Sequence, residues 1–328
     1  MRMPELVGCY TGADGQGGLV RLGDGASTTL PSPTWLTRAH GLILAASELD
    51  ASRITSLRPG PDGPTLVSTV ATHGAAGCHL AVSPSGEWMA QAHYTSGSVA
   101  LLPCPADGHL EEPADLIQFT GHGPDPDRQA GPHAHQVVWL DDGTFLVPDL
   151  GTDQVRVLGV RDARLVELGA LGLPGGFGPR HLVVRPGAEG GVQMAVAGEL
   201  SGEVSAWTHP GGDWSSGWVE LDRTSGTRLA GSQPSGLRSF GSGLVIANRV
   251  VNTLGFLDWT GEGTLELTDE LGCEGDHPRD LRVVDGLVWV ANQHSDAVSV
   301  LRVDGDARAR TAEELARYPV VTPACLLF

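Results

Sequence analysis

Ala291-Asn292-Gln293, then a turn, then Ala297-Val298-Ser299-Val300-Leu301: a small apolar step, a polar residue and a strand-like run. The same phrase stands at Gly8-Cys9-Tyr10-Thr11-Gly12, Ala46-Ser47-Glu48-Leu49, Gln91-Ala92-His93-Tyr94, Val147-Pro148-Asp149-Leu150, Ala197-Gly198-Glu199-Leu200 and Ala247-Asn248-Arg249. Seven copies, about every 38–56 residues, mark a repeat array. About 11 to 17 residues before most phrases lies a second landmark, as at Thr34-Trp35, Cys78-His79, His135-Gln136, Arg180-His181, Ser235-Gly236 and Arg279-Asp280. Between the two landmarks sit hairpin turns, among them Pro84-Ser85-Gly86, Asp141-Asp142-Gly143 and Asp285-Gly286. Strand, turn, strand, turn, strand, with room for a fourth strand, is a propeller blade. The first phrase lacks an opener, and the segment from Pro319 to Phe328 is left over; pairing the termini removes two exposed sheet edges. The expected fold class is therefore all-β, a seven-bladed β-propeller in one domain over residues 1–328. Thr311-Ala312-Glu313-Glu314-Leu315-Ala316 carries a capping-box pattern and is expected as a helical turn. Residues 121–132 read as a long surface loop, and the eight tryptophans as packing between blades.

The 328 residues include 46 glycines and 22 prolines, which suits a chain rich in turns. A net charge of −18 repels nucleic acid and anionic membranes, so neither is an expected partner. All 21 basic residues other than histidine are arginines, so Schiff-base and phosphate-loop lysine chemistry is excluded. The five cysteines are scattered, without a CxxC pair, and fit a reduced, cytoplasmic protein. The start, Met1-Arg2-Met3-Pro4-Glu5, has no apolar leader, and no run approaches the roughly 18 apolar residues of a membrane span.

Equivalent beats of successive blades converge on the same end of a propeller's axis, so the odd members of a beat are the candidates for chemistry. Glu199 stands where another phrase has Asn292; Arg249 follows Asn248; the openers supply His135, Arg180 and Arg279 where another has only Ser235. A carboxylate, a histidine and several arginines are thus expected in one pocket.

Pro132-His133-Ala134-His135, Asp149-Leu150-Gly151-Thr152-Asp153, Gly178-Pro179-Arg180-His181, Gly198-Glu199-Leu200, Asn248-Arg249 and Asn292-Gln293 resemble the signature phrases of the seven-bladed propeller lactonases. These are the family of the bacterial propeller-type 6-phosphogluconolactonase. Arg128-Gln129 and Thr322-Pro323-Ala324-Cys325 fit the same pattern. The likeness runs over nearly the whole chain and is weakest over residues 1–75 and 208–232. It departs in the first blade and at Cys78-His79, where a proline is usual. The family also contains a fungal carboxy-muconate cyclase, whose histidine, arginine, glutamate, arginine quartet falls by motif on His135, Arg180, Glu199 and Arg249. The resemblance implies hydrolysis of a small sugar or sugar-phosphate lactone, with an anionic substrate, no cofactor and no metal. A lactone-forming cyclase on a dicarboxylate, and a propeller that only binds a ligand or protein, stand as alternatives.

The residue types suit lactone hydrolysis. It needs an activated water, a polarised carbonyl and a proton for the departing ring oxygen. Histidine or a channel glutamate can move the protons. Arginine stays charged and matches carboxylate or phosphate with its fork. The expected catalytic residues are His135, Arg180, Glu199 and Arg249, with His133, His181, Arg279 and Asn292 binding substrate. Glu199 and Arg249 also admit a plain channel ion pair. His133 and His135 have metal-ligand spacing without a third ligand in view. Asp149 and Asp153 read as turn residues, and Asp125-Pro126-Asp127 lacks a calcium-loop pattern. His181 ranks below His135 as the base, because a strand neighbour of Arg180 should face the other way.

Overall fold

The computed structural model describes residues 2–12, 15–187, 190–305 and 308–328. Among the described residues, seven four-stranded sheets form. Six follow chain order, over residues 35–71, 77–118, 138–172, 179–225, 233–272 and 278–319. The seventh joins Pro323–Leu327 to Leu6–Cys9, Gly18–Val20 and Ser27–Thr28. The expected fold class, seven propeller blades with both termini in one of them, is the observed one. The chain falls into two compact units, Met3–Gly175 with Cys325–Phe328, and Gly176–Ala324.

The middle strands are mostly apolar and buried because both faces are covered. In strand Trp88–His93, Met89 packs into a cluster with Ile43, Leu57 and Leu80, while Ala90 and Ala92 pack with Phe145 and Val147. In strand Gly243–Arg249, Leu244 and Ile246 pack with Ala195 and Leu237, whereas Val245 and Ala247 pack with Leu281 and Val288. Each period-2 face thus serves a different neighbouring sheet. Two of the eight tryptophans stitch such neighbours as expected, Trp35 Nε1 donating to Leu80 O at 3.0 Å and Trp139 Nε1 to Ala81 O at 3.3 Å, whereas Trp214 and Trp218 pack on His209 of their own blade.

The helical turn expected at residues 311–316 is instead part of strand Thr311–Pro319. Its partner, Ala297–Asp304, offers a full ladder from Asp304↔Thr311 to Ala297↔Pro319, which outweighs one local capping signature. The C-terminal strand accordingly starts at Pro323 rather than at Pro319. Residues 121–132 do form a loop, pinned by fully buried Gln129. Its Nε2 donates to Leu150 O at 2.9 Å and to Asp153 Oδ1 at 2.8 Å.

His93 is fully buried, with Thr72 Oγ1 at 2.9 Å from Nε2 and Ser98 Oγ at 3.0 Å from Nδ1. Burial pushes its pKa down to about 4. The unfolded chain therefore binds the proton first as pH falls from about 6.5. Stability is full above that pH and declines towards pH 4, by at most about 3 kcal/mol from this residue. Urea unfolding of wild type and His93→Asn at pH 7.5 and 4.5 should show a smaller acid loss in the variant.

Candidate active site

In the unit Gly176–Ala324, three expected residues meet. Strand Pro179–Pro186 pairs with Val192–Gly198, and the register slips between Pro179 and His181, leaving Arg180 at a bulge. Such a bulge re-aims a side chain. Glu199 follows the second strand directly, and its N–H donates to Gly178 O at 2.8 Å. The turn requires glycine at 178: φ is +62°, and a Cβ would come within 2.4 Å of Leu200 Cγ. Arg249 ends strand Gly243–Arg249, and its Nε donates to Gln233 O at 3.1 Å. Glu199 Oε2 lies 2.9 Å from Arg180 Nε and 2.6 Å from Arg249 Nη2.

Arg180, Glu199 and Arg249 are 2%, 4% and 5% exposed. Two guanidiniums against one carboxylate give this triad a formal charge of +1. Opposite charges at such range favour the ionised carboxylate. The triad is thus a buried carboxylate held between two guanidinium donors. Close by in sequence, a cavity of about 320 Å³ is lined by Leu200, Ser201, Gly202, Ser225 and residues 227–232. A larger cleft of about 440 Å³, in the other unit, lies at Thr37–His40 and Ala81–Gly86. That is the hairpin end of its strands, remote from the phrases.

The strand registers correct one equivalence. Pro179 pairs with Gly198, Pro234 with Asn248 and Pro278 with Asn292. Asn292 therefore matches Gly198, and Gln293, not Asn292, matches Glu199. Asn292 is fully buried, and its Nδ2 donates to Cys273 O and Ser299 Oγ, both at 3.2 Å. It orders its own blade. A one-residue slip moves a side chain to the other face of a sheet. The opener beat holds: Arg279 occupies the same bulge position as Arg180. His181, 2% exposed, follows the bulge, where the alternation that ranked it below His135 is interrupted.

His277 was missed by sequence reasoning. It precedes Pro278 at φ +59°, and its ring stacks on His294 at 4.0 Å. Its pKa is lowered to about 4, by burial first, then by the positive charges of Arg249, His294 and Arg279, against Asp276. The available signal was its place: the matching turn residue is Ser32, Ala76, Gly178 and Thr322 in other blades.

His135 lies in the other unit, 4% exposed, at the Ala134↔Asp149 bridge. Its N–H donates to Pro148 O at 3.0 Å, and its ring meets Tyr94 edge-on at 5.6 Å. His133 stacks flat on Tyr94 at 4.4 Å, with Nδ1 2.7 Å from Tyr94 O. Tyr94 is a second residue that sequence reasoning left unassigned. Asp149 Oδ1 accepts from His133 N at 2.7 Å and Gly151 N at 3.2 Å, so it is the turn residue expected. Among the described residues, no group of three or more His, Cys, Asp or Glu side chains is placed to hold a metal. All five cysteines are free and buried, and burial raises the Cys104 thiol to about 11 and Cys273 to about 12, which makes both poor nucleophiles. Among the described residues, no helix is long and apolar enough to cross a membrane.

Comparison with known proteins adds a family. A 6-phosphogluconolactonase of Bacillus subtilis is 26% identical over 264 residues, 76% of this chain and 72% of that protein. The solved structure of a periplasmic gluconolactonase of Pseudomonas aeruginosa is 26% identical with a TM-score of 0.85, covering 98% of this chain and 97% of its own. A Lactobacillus plantarum protein is 28% identical with a TM-score of 0.87, over 99% of both chains. The model of the family described as lactonase, 7-bladed beta-propeller, matches residues 7–328, and the chain belongs to that family.

Proposed function

We propose that this protein hydrolyses a small sugar or sugar-phosphate lactone, with Glu199 as the base. The observation that carries this is a buried carboxylate gripped by two guanidiniums at 2.9 and 2.6 Å, in a chain of the lactonase family. The names of the Bacillus and Pseudomonas relatives favour a gluconolactone, phosphorylated or not.

In this reading Glu199 takes a proton from water as the water oxygen bonds to the lactone carbonyl carbon. The carbonyl oxygen gains negative charge, stabilised by Arg180 and Arg249, a contribution of about 3 kcal/mol for a typical donor. The ring C–O bond then breaks, and the proton held by the enzyme passes to the ring oxygen. Atoms balance: lactone plus water gives the hydroxy acid. His135 is proposed as a second proton-moving or substrate-orienting group, and His133, His181 and Arg279 as binding residues.

Base consumption on a panel of gluconolactone, its 6-phosphate and cis,cis-muconate derivatives is the direct test. Hydrolysis of either lactone supports the proposal. Turnover of only the muconates would replace it with the cyclase reading, and no turnover would leave a binding protein. His135→Ala is expected to lower kcat by about a hundredfold if it moves protons. Because guanidiniums supply the positive charge in this scheme, activity is expected to survive EDTA. We also propose that residues 1–328 work as a single domain in the cytoplasm, where the five thiols stay reduced.

A further inference from the structure

Tyr94 holds in its own blade the position that Glu199 holds in another: Tyr94 N–H donates to Ala76 O at 2.8 Å, as Glu199 N–H donates to Gly178 O. The blade after that of Tyr94 supplies His133, which stands where Gly178 does, because Leu150 N–H donates to His133 O at 3.0 Å. The His133 ring is fixed from several sides. Its backbone N–H donates to Asp149 Oδ1 at 2.7 Å. One ring face lies on Tyr94, with centroids 4.4 Å apart and planes 13° from parallel. Its Nδ1 lies 2.7 Å from Tyr94 O. Its Cδ2 edge lies against the Gly151 backbone, where a Cβ would come within 2.9 Å of Cδ2 and 1.8 Å of Gly131 O. Tyr94 is held in turn: Arg128 Nη2, from the loop at residues 121–132, donates to its Oη at 3.4 Å, and His135 meets its ring edge-on.

A carbonyl oxygen can only accept, so His133 Nδ1 carries a proton. In the neutral ring the other nitrogen, Nε2, is then a bare acceptor. Among the described residues nothing bonds to Nε2, and the half-buried ring does not seal that atom from solvent. We propose that Tyr94 is a positioning residue, holding His133 so that Nε2 accepts a neutral hydroxyl of the substrate. This rests on the lactonase reading and adds a source of selectivity to it. A lone pair attracts an O–H donor and repels the oxygens of a fully ionised anion. The selection is against an analogue without the hydroxyl, which leaves the acceptor unpaired.

The test uses the full chain. Long-range proton–nitrogen NMR correlations at pH 8.5, with the His133 ring assigned by its loss in His133→Asn, read which nitrogen is protonated. The expected pattern is a proton on Nδ1 and a bare Nε2. Glucitol, a neutral polyol, should shift Nε2, and sulfate should not. Tyr94→Phe keeps the ring and should keep the pattern. Tyr94→Leu should bring in the Nε2–H form and raise KM for gluconolactone more than it lowers kcat. His133→Asn can still donate to Tyr94 O but has no Nε2. It should cut kcat/KM for gluconolactone about tenfold relative to δ-valerolactone, the same ring without hydroxyls. A proton on Nε2 in the wild type, no response of Nε2 to glucitol, or equal loss on both lactones overturns the proposal. An unchanged pattern in Tyr94→Leu overturns the positioning role of Tyr94. If neither lactone is hydrolysed, a glucitol shift at Nε2 keeps the acceptor site and sinks the lactonase reading alone.

Discussion

Glu199→Gln is expected to lower kcat/KM for lactone hydrolysis by about a thousandfold or more. Glutamine keeps the volume and one acceptor oxygen but takes no proton at neutral pH, so the water loses its base. The substitution has a second consequence. Arg180 and Arg249 face the same oxygen of a side chain that is 4% exposed, and neutralising it leaves two buried cations without their carboxylate. Removing one partner of a buried pair typically costs about 3–5 kcal/mol. Loss of activity alone therefore does not separate chemistry from folding. Glu199→Asp is the control: it keeps the charge on a shorter stem, so stability should recover more fully than rate. A folded Glu199→Gln protein with wild-type turnover would sink the assignment. If both variants fall in activity only as far as they fall in folded fraction, Glu199 is a structural ion pair.

The blade count was legible because the repeat is carried by two landmarks and by strands buried on both faces. The position of Arg180 was legible because openers recur at fixed distance from the phrase, and the bulge that re-aims it follows the same beat. Three features were not. Thr311-Ala312-Glu313-Glu314 carries a local helix signal, and nothing nearby in sequence announces that Ala297–Asp304 will pair with it. Asn292 was set against Glu199 because both are polar residues at the end of an apolar run; only the ladder, Pro278↔Asn292 beside Pro179↔Gly198, fixes the register by one residue. His277 escaped for a third reason. Its proton affinity is lowered first by burial and in part by Arg249 and Arg279, one on a different blade, and its backbone φ is one that no residue type dictates.

That single-residue shift separates stability from chemistry, and Asp149→Ala is the sharpest test of it. Asp149 pairs with Ala134 as Gly198 pairs with Pro179, so it lies on the structural side of the beat, one position before the counterpart of Glu199. Its carboxylate is fully buried and pairs with Arg156 Nε at 2.9 Å, while Arg156 also reaches Glu167 Oε1 at 2.9 Å and covers the Phe119 ring at 4.4 Å. Alanine would take the buried carboxylate from a largely buried guanidinium, leaving it part-exposed Glu167, Thr120 O and Thr152 Oγ1, and would orphan the His133 and Gly151 N–H groups. The expected loss is about 3–5 kcal/mol in urea unfolding, near the top of what single substitutions do. Asp149→Asn should cost less, since an amide oxygen still accepts from His133 N–H. Replacing both members, Asp149→Leu with Arg156→Met, should recover much of the loss, because the cost lies in the stranded charge rather than in the absence of a bond. A loss below about 1 kcal/mol in Asp149→Ala would mean the turn is held by its backbone alone. The beat would then no longer divide residues that hold the blade from those that face the substrate.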